Sequence, residues 1–84
     1  MNSVLVRYFA AARAAAGLPE ERVDLSSAAT VGELKAQLQS LHGQDLTRVL
    51  AVCSLLVDGT VARDDSVSLA SATGVDVLPP FAGG

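Results

Sequence analysis

The sequence predicts an α+β domain: a mixed β-sheet with one main helix packed on one face and a short helix near residues 10–16. Three observations predict it. Both ends of the chain carry strand-like segments, and a capped amphipathic stretch lies between them. A Pro-Pro step then stops the last strand. A helix with one apolar stripe must lay it on another element, and a sheet face is the surface this chain offers.

Taken in order, Val4, Val6 and Tyr8 alternate with Leu5, Arg7 and Phe9, the period-two pattern of a strand. Ala10 to Ala16 is a run of strong helix formers, closed by Gly17 and Pro19. Arg22 to Leu25 alternates again and pairs with the first strand as a hairpin, with the short helix at its tip. Thr30-Val31-Gly32-Glu33 has capping-box spacing, in which the Thr30 hydroxyl accepts the amide of residue 33. Val31, Leu34, Leu38 and Leu41 then recur at helical spacing, and Gly43 ends the helix. Leu50 to Val57 is a continuous apolar run that reads as strand material folded back on itself. Asp58-Gly59 is a turn signal. Residues 60–72 read as a loop with one short strand or turn, Thr73-Gly74 as a turn, and Val75 to Leu78 as the last strand. A strand at each end, joined through a helix, places the terminal strands in parallel at the middle of the sheet.

Composition bounds the function. At 84 residues the chain is one domain, here divided into a body at 1–78 and an extended tail at 79–84. It is 50% hydrophobic and 18% charged, which excludes a disordered chain. The net charge is −3, and Tyr8, Phe9 and Phe81 are the only rings available for stacking on bases, so nucleic acid is not an expected partner. Cys53 is the only cysteine, so neither an internal disulfide nor a zinc site built from thiolates is available. No metal site is expected, and a reducing cytoplasm is the default home. The stretch MNSVLVRYF lacks a basic segment before a long apolar run and is not expected to act as a secretion leader, and no apolar run approaches the ~20 residues that span a bilayer, so no membrane role is expected.

The chemistry falls at the tail, Leu78-Pro79-Pro80-Phe81-Ala82-Gly83-Gly84. Pro-Pro projects the chain outward as a stiff extended piece. The four residues beyond it reach roughly 13 Å at ~3.3 Å each. Gly83-Gly84 lacks Cβ atoms, so it threads a narrow cleft and accepts any backbone conformation there. The Gly84 carboxylate is then unhindered: an enzyme could adenylate it and let sulfur or an amine attack the acyl-adenylate.

The sequence resembles the ubiquitin-like MoaD/ThiS family of sulfur carriers, and within it the small subunits of molybdopterin synthase. The match runs through Val4 to Phe9, Ala10-Ala11-Ala12-Arg13, Gly17, the Thr30-Val31…Leu34 helix, the Val52…Leu56-Val57 segment and, above all, Gly74-Val75-Asp76-Val77-Leu78-Pro79-Pro80-Phe81-Ala82-Gly83-Gly84. It covers nearly the whole chain. The resemblance implies a β-grasp fold. It implies that Gly84 is adenylated by a ubiquitin-activating-type adenylyltransferase with ATP, and that a sulfurtransferase or cysteine desulfurase supplies the sulfur of a thiocarboxylate. The tail, Pro79 to Gly84, would thread into the large subunit of molybdopterin synthase, in a heterotetramer of two carriers and two large subunits. The carrier would bind no cofactor itself and would not be an enzyme on its own. Phe9, Leu56, Leu78 and Phe81 fall where the family presents an apolar docking patch. The chain departs from the family in having Cys53-Ser54 where members often place an Asn-Gly-type turn after the third strand, and in a longer stretch from Asp58 to Thr73.

Plainer readings compete at each position. Gly83-Gly84 alone could be an incidental tail, Pro79-Pro80 could simply end a strand, and Phe9 and Leu56 could be core. Cys53 and His42 could suggest a thiol nucleophile, but no orienting group stands near either in sequence, so a buried thiol and a helix-end histidine are favoured. Arg7 and Arg13 read as solvated surface charge. Other products remain open: sulfur for thiazole or cysteine synthesis, a protein modifier joined by an isopeptide through Gly84, or a non-covalent binding module.

Overall fold

The computed structural model describes residues 2–26 and 29–80. Strand β1 (Asn2–Tyr8) buries Val4, Val6 and Tyr8 and turns Leu5 and Arg7 to the opposite face. Helix α1 (Ala10–Ala16) stops at Gly17, whose φ of 82° only glycine adopts freely and whose N–H returns to the Arg13 carbonyl. Strand β2 (Glu20–Leu25) then runs back antiparallel to β1, pairing Asn2 with Leu25 through Arg7 with Glu20.

Helix α2 (Val31–His42) begins as its sequence predicts: Thr30 is extended and its hydroxyl accepts the Glu33 N–H at 3.4 Å. The Glu33 carboxylate accepts instead from the Ser26 hydroxyl. Val31, Leu34 and Leu38 are fully buried, but Leu41 is 58% exposed. The inward position of the last turn belongs to His42. Its Nε2 meets Glu21 Oε2 at 2.5 Å, and its ring stands edge-on to Tyr8. The Tyr8 hydroxyl donates to the same Glu21 oxygen at 2.6 Å. Burial, and then the Glu21 carboxylate, push the Tyr8 phenol well above its ordinary value.

Helix α2 is the main helix the sequence predicts; a further seven-residue helix, α3 (Gln44–Leu50), follows it where the sequence pattern predicts no element. Gly43 does end α2, with φ 79°, but the chain re-enters a helix at once. The apolar run from Leu50 is therefore split. Leu46 and Leu50 pack inward from α3, residues 51–53 turn, and only Ser54–Val57 forms strand β3. Packed on both α1 and α2, α3 brings Leu46 and Leu50 into the core.

The tight turn after β3 is Asp58-Gly59, not Cys53-Ser54. Both turn residues hold positive φ (48° and 87°), as a type I′ two-residue hairpin turn requires, and β4 (Thr60–Val61) follows. The stretch to Thr73 is pinned to the start of α2. Thr30 bridges Ser68, Leu69 N–H donates to Ala29 O, and the Val31 and Gly32 amides donate to Val67 O and Asp65 O, each at 3.0 Å. The loop thus satisfies amides that a helix N-terminus leaves without partners. Lys35 adds an ion pair to Asp65 at 2.8 Å.

Strand β5 (Gly74–Leu78) begins at Gly74, so Thr73-Gly74 is a strand entry and not a turn. The sheet order is β2-β1-β5-β3-β4, with β1 and β5 parallel at its centre, as the chain ends predict. The three helices cover one face, and the core between the layers holds Val4, Val6, Leu34, Leu38, Leu46, Leu55, Leu69, Val75 and Val77, each at most 3% exposed.

Candidate functional site

The site is assembled on β5. This strand is paired on both edges: with β1 from Leu5–Gly74 to Tyr8–Val77, and with β3 from Ser54–Leu78 to Val57–Val75. The Phe9 N–H donates to Val77 O at 3.2 Å and extends the β1 side of the pairing past Tyr8. Pro79 and Pro80 have no N–H to continue it. Pro79 is half-buried and Pro80 exposed, so the chain leaves the body at the end of its two central strands. Phe81, Ala82, Gly83 and Gly84 lie outside the described residues.

The start of β5 is fixed by Asp58. One carboxylate oxygen accepts from the Thr73 N–H, the Thr73 hydroxyl and the Gly74 N–H at 3.1, 2.8 and 2.9 Å, while the Asp58 N–H donates to Gly74 O. The Thr73 hydroxyl, followed by the Gly74 and Thr73 amides, holds the Asp58 carboxyl below its ordinary range. The β3–β4 hairpin is thereby tied to the strand that carries the tail.

Among the described residues, no helix lies over the other sheet face. Alternation puts Leu5, Arg7, Gly74, Asp76, Leu78, Leu56 and Val61 there. Of the expected docking residues, Leu56 and Leu78 share this face two positions apart in the β3–β5 register, and both are half-buried. Phe9 is 40% exposed and keeps extended geometry, which carries the alternation on to the Arg7 side. The structure therefore brings Phe9, Leu56 and Leu78 to one face beside the root of the tail. Leu5 and Val61 belong to the same face, Val61 at 56% exposure directly opposite Leu56. Both were readable: Leu5 from the alternation of the first strand, and Val61 by counting across a two-residue turn at Asp58-Gly59.

Arg7 is not simply a solvated charge. Its guanidinium donates twice to Asp76, Nε to Oδ1 at 2.7 Å and Nη2 to Oδ2 at 3.1 Å. His42 and Cys53 have different neighbours. His42 meets Tyr8 and Glu21, whereas Cys53 lines a small hollow with Lys35, Leu55 and Arg63. Burial pushes the Cys53 thiol up, away from the thiolate a nucleophile needs. Among the described residues there is no cluster of three or more metal-ligating side chains, and no helix is long and apolar enough to cross a membrane.

Helices on one side of a five-stranded mixed sheet, with parallel terminal strands at its centre, make a ubiquitin-like β-grasp. The model of the ThiS family matches residues 6–84, and the chain belongs to that family. Its fold is that of the MoaD/ThiS-type sulfur carriers. SAMP1 from Haloferax volcanii superposes with a TM-score of 0.84 at 27% identity, covering 99% of this chain and 100% of that one. A protein from Pyrococcus furiosus assigned as molybdopterin converting factor subunit 1 gives 0.75 at 27% identity, covering 96% and 100%. A chain from the complex of subunits 1 and 2 of the Helicobacter pylori molybdopterin-converting factor gives 0.72 at 23% identity, covering 99% and 100%, a likeness of fold. No curated protein sequence matches the chain.

Proposed function

We infer that this chain is a sulfur carrier whose working group is the Gly84 carboxylate, and that its sulfur goes to the dithiolene of molybdopterin. The observation that carries this reading is the course of β5 in a ThiS-family chain. The strand is held on both edges, ends at Pro79-Pro80, and is followed by Phe81-Ala82-Gly83-Gly84. A doubly paired strand anchors the tail firmly enough for a partner to draw it into a cleft. In the first step the Gly84 carboxylate attacks the α-phosphorus of ATP on an adenylyltransferase, giving an acyl-adenylate and releasing pyrophosphate. The outer sulfur of a persulfide on a sulfurtransferase or cysteine desulfurase then displaces AMP to give an acyl disulfide, and a thiol attacks the enzyme's sulfur, forming a disulfide there and releasing the thiocarboxylate. The large synthase subunit would take the charged tail, with Phe9, Leu56, Leu78 and Phe81 seating the carrier. The subunit 1–subunit 2 complex of the Helicobacter pylori factor supports a large-subunit partner of this kind.

A chain with one residue added after Gly84 tests the working group. With the adenylyltransferase and ATP, the native chain is expected to support ATP–pyrophosphate exchange and the extended chain to support none. Equal exchange by both would remove Gly84 from the mechanism.

A second reading has its own support. SAMP1 is a small archaeal modifier protein, and this chain is 27% identical to it over nearly its whole length. As a modifier, the Gly84 acyl group would pass to a target lysine. Conjugates of higher mass that survive reducing agent would mark that use, and a pure carrier forms none.

A further inference from the structure

Strand β2 is an edge of the sheet, with β1 on one side and, among the described residues, no strand on the other. The opposite edge, β4, is two residues long, whereas β2 has six. The register sets the direction of its backbone groups. The Tyr8 N–H donates to Pro19 O, and bonded pairs alternate along an antiparallel ladder, so Glu21, Val23 and Leu25 bond to β1. Glu20, Arg22 and Asp24 turn their N–H and C=O groups outward. Helix α2 runs along this edge in the opposite sense: Glu33 meets Ser26, Gln37 Nε2 donates to Asp24 O at 2.9 Å, and His42 meets Glu21. Gln37 thus occupies the Asp24 carbonyl, and among the described residues no bond reaches the N–H or C=O of Glu20 or Arg22. An open edge of this kind is a template for another strand.

Leu41 lies beside the open part of the edge. It is one turn beyond Gln37 on the same side of α2, roughly 6 Å along the axis, and the two residues from Asp24 back to Arg22 span about the same distance. Leu41 therefore stands level with Arg22, and it is 58% exposed. Free backbone groups beside an uncovered leucine call for an extended occupant with apolar cover on the helix side.

The charges of the edge select the occupant. Glu20, Arg22 and Asp24 are exposed in the order negative, positive, negative, and none has an ion pair among the described residues. We propose that β2 pairs antiparallel with β2 of a second copy of this chain, with the twofold axis at Glu21. Glu20 of each chain then lies opposite Arg22 of the other, and these two pairs exchange four N–H···O=C bonds. An axis at Arg22 would set like charges opposite one another, and an axis at Val23 would need the Asp24 carbonyl that Gln37 holds. Glu21, at the axis, has its carboxylate turned inward to Tyr8 and His42. The two Leu41 side chains flank the axis on the helix side, each facing the other chain's α2. Strand β5, which leads to the tail, is separated from β2 by β1, so pairing leaves it clear, and the inference stands whether or not Gly84 carries sulfur.

Sedimentation equilibrium of the full chain tests this, with reductant present so that Cys53 forms no disulfide between chains. Four backbone bonds and a small apolar contact make a weak interface, with a dissociation constant on the order of 100 μM. The native chain is expected to move from the monomer mass towards twice that mass as its concentration rises through this range. Leu41→Asp is expected to weaken the dimer about tenfold. Glu20→Arg and Arg22→Glu each place like charges opposite one another, twice over because the axis repeats the pair, and each is expected to weaken self-association about tenfold. A mixture of these two variants restores both opposite-charge pairs and is expected to form a dimer of one chain of each kind at native strength, less salt-resistant than its backbone bonds alone. Melting midpoints near the native value show that the variants fold, and the exposed charge variants decide the matter if Leu41→Asp does not. A native chain that stays monomeric to about 1 mM, tenfold above that constant, overturns the proposal. So does a dimer unaffected by Leu41→Asp, single charge variants that associate like the native chain, or a mixture of them that stays monomeric.

Discussion

Leu55 and Leu56 are neighbours on β3 with opposite surroundings. Leu55 points under the helices and is 3% exposed, while Leu56 points to the open face between Asp76 and Val61. The same division runs through β1 and β5, with Val4, Val6, Val75 and Val77 on one side and Leu5, Arg7, Asp76 and Leu78 on the other. Two of the three helices, α1 and α3, are only seven residues long, and all of the helical cover goes to one side of the sheet. One face thus supplies the stability of the domain, and the other keeps apolar groups where a partner reaches them. The difference teaches that residue type does not assign role here; the parity of position along the strand does.

The largest expected effect separates the two leucines. Leu55→Ala should cost about 2–5 kcal/mol in urea unfolding, because it opens a cavity under the helices. Leu56→Ala should cost about 1 kcal/mol or less, since little packing surrounds it, yet it should weaken partner binding more than its neighbour does. Equal losses of stability would break the distinction between the faces. Next comes the covered layer itself: Thr30→Ala removes the cap of α2 and should cost about 1 kcal/mol, read from the melting midpoint.

How much of this division was legible in the sequence depends on the element. Strand β1, helix α1, the cap of α2 and the parallel central pair all follow from period, caps and chain order. Helix α3 did not, because Gly43 ends one helix and begins the approach to another, and a seven-residue helix whose buried residues are only Leu46 and Leu50 shows no sustained period. Leu41 followed the helical spacing, but the last turn of α2 gives its inward place to His42. Thr73-Gly74 resembled a turn because its composition is that of one. Asp58, fifteen residues earlier, binds both amides and turns the pair into a strand entry, a long-range contact that no local pattern carries. On the open face, Leu56, Leu78 and Phe9 were found through the family resemblance. The Arg7–Asp76 pair, sixty-nine residues apart in sequence, required the sheet register.

Asp58 joins the two regions, and its effect is one of pH. Its carboxyl is held below the ordinary range in the folded chain, so its contribution is complete above the unfolded value of about 3.9. It is lost as pH falls through the lower folded value. Asp58→Asn should therefore lower the melting midpoint at neutral pH, and the gap from the native chain should close in acid. A gap that persisted at pH 2 would assign the loss to packing instead of charge. The smallest effect belongs to Arg7→Ala. The pair it breaks is on the open face with the Arg7 side chain half in water, and exposed ion pairs contribute little. Its melting midpoint should match the native chain, and a clear drop would show the open face to be structural.

The central claim is that the Gly84 carboxylate carries the sulfur. The most direct measurement is the intact mass of the chain after incubation with its adenylyltransferase, ATP and a sulfur donor, beside a chain lacking Gly84. The account predicts a species heavier by one sulfur-for-oxygen exchange, located by fragmentation at residue 84 and absent from the shortened chain. An unchanged mass in the complete mixture, or the same gain in the chain without Gly84, would contradict it.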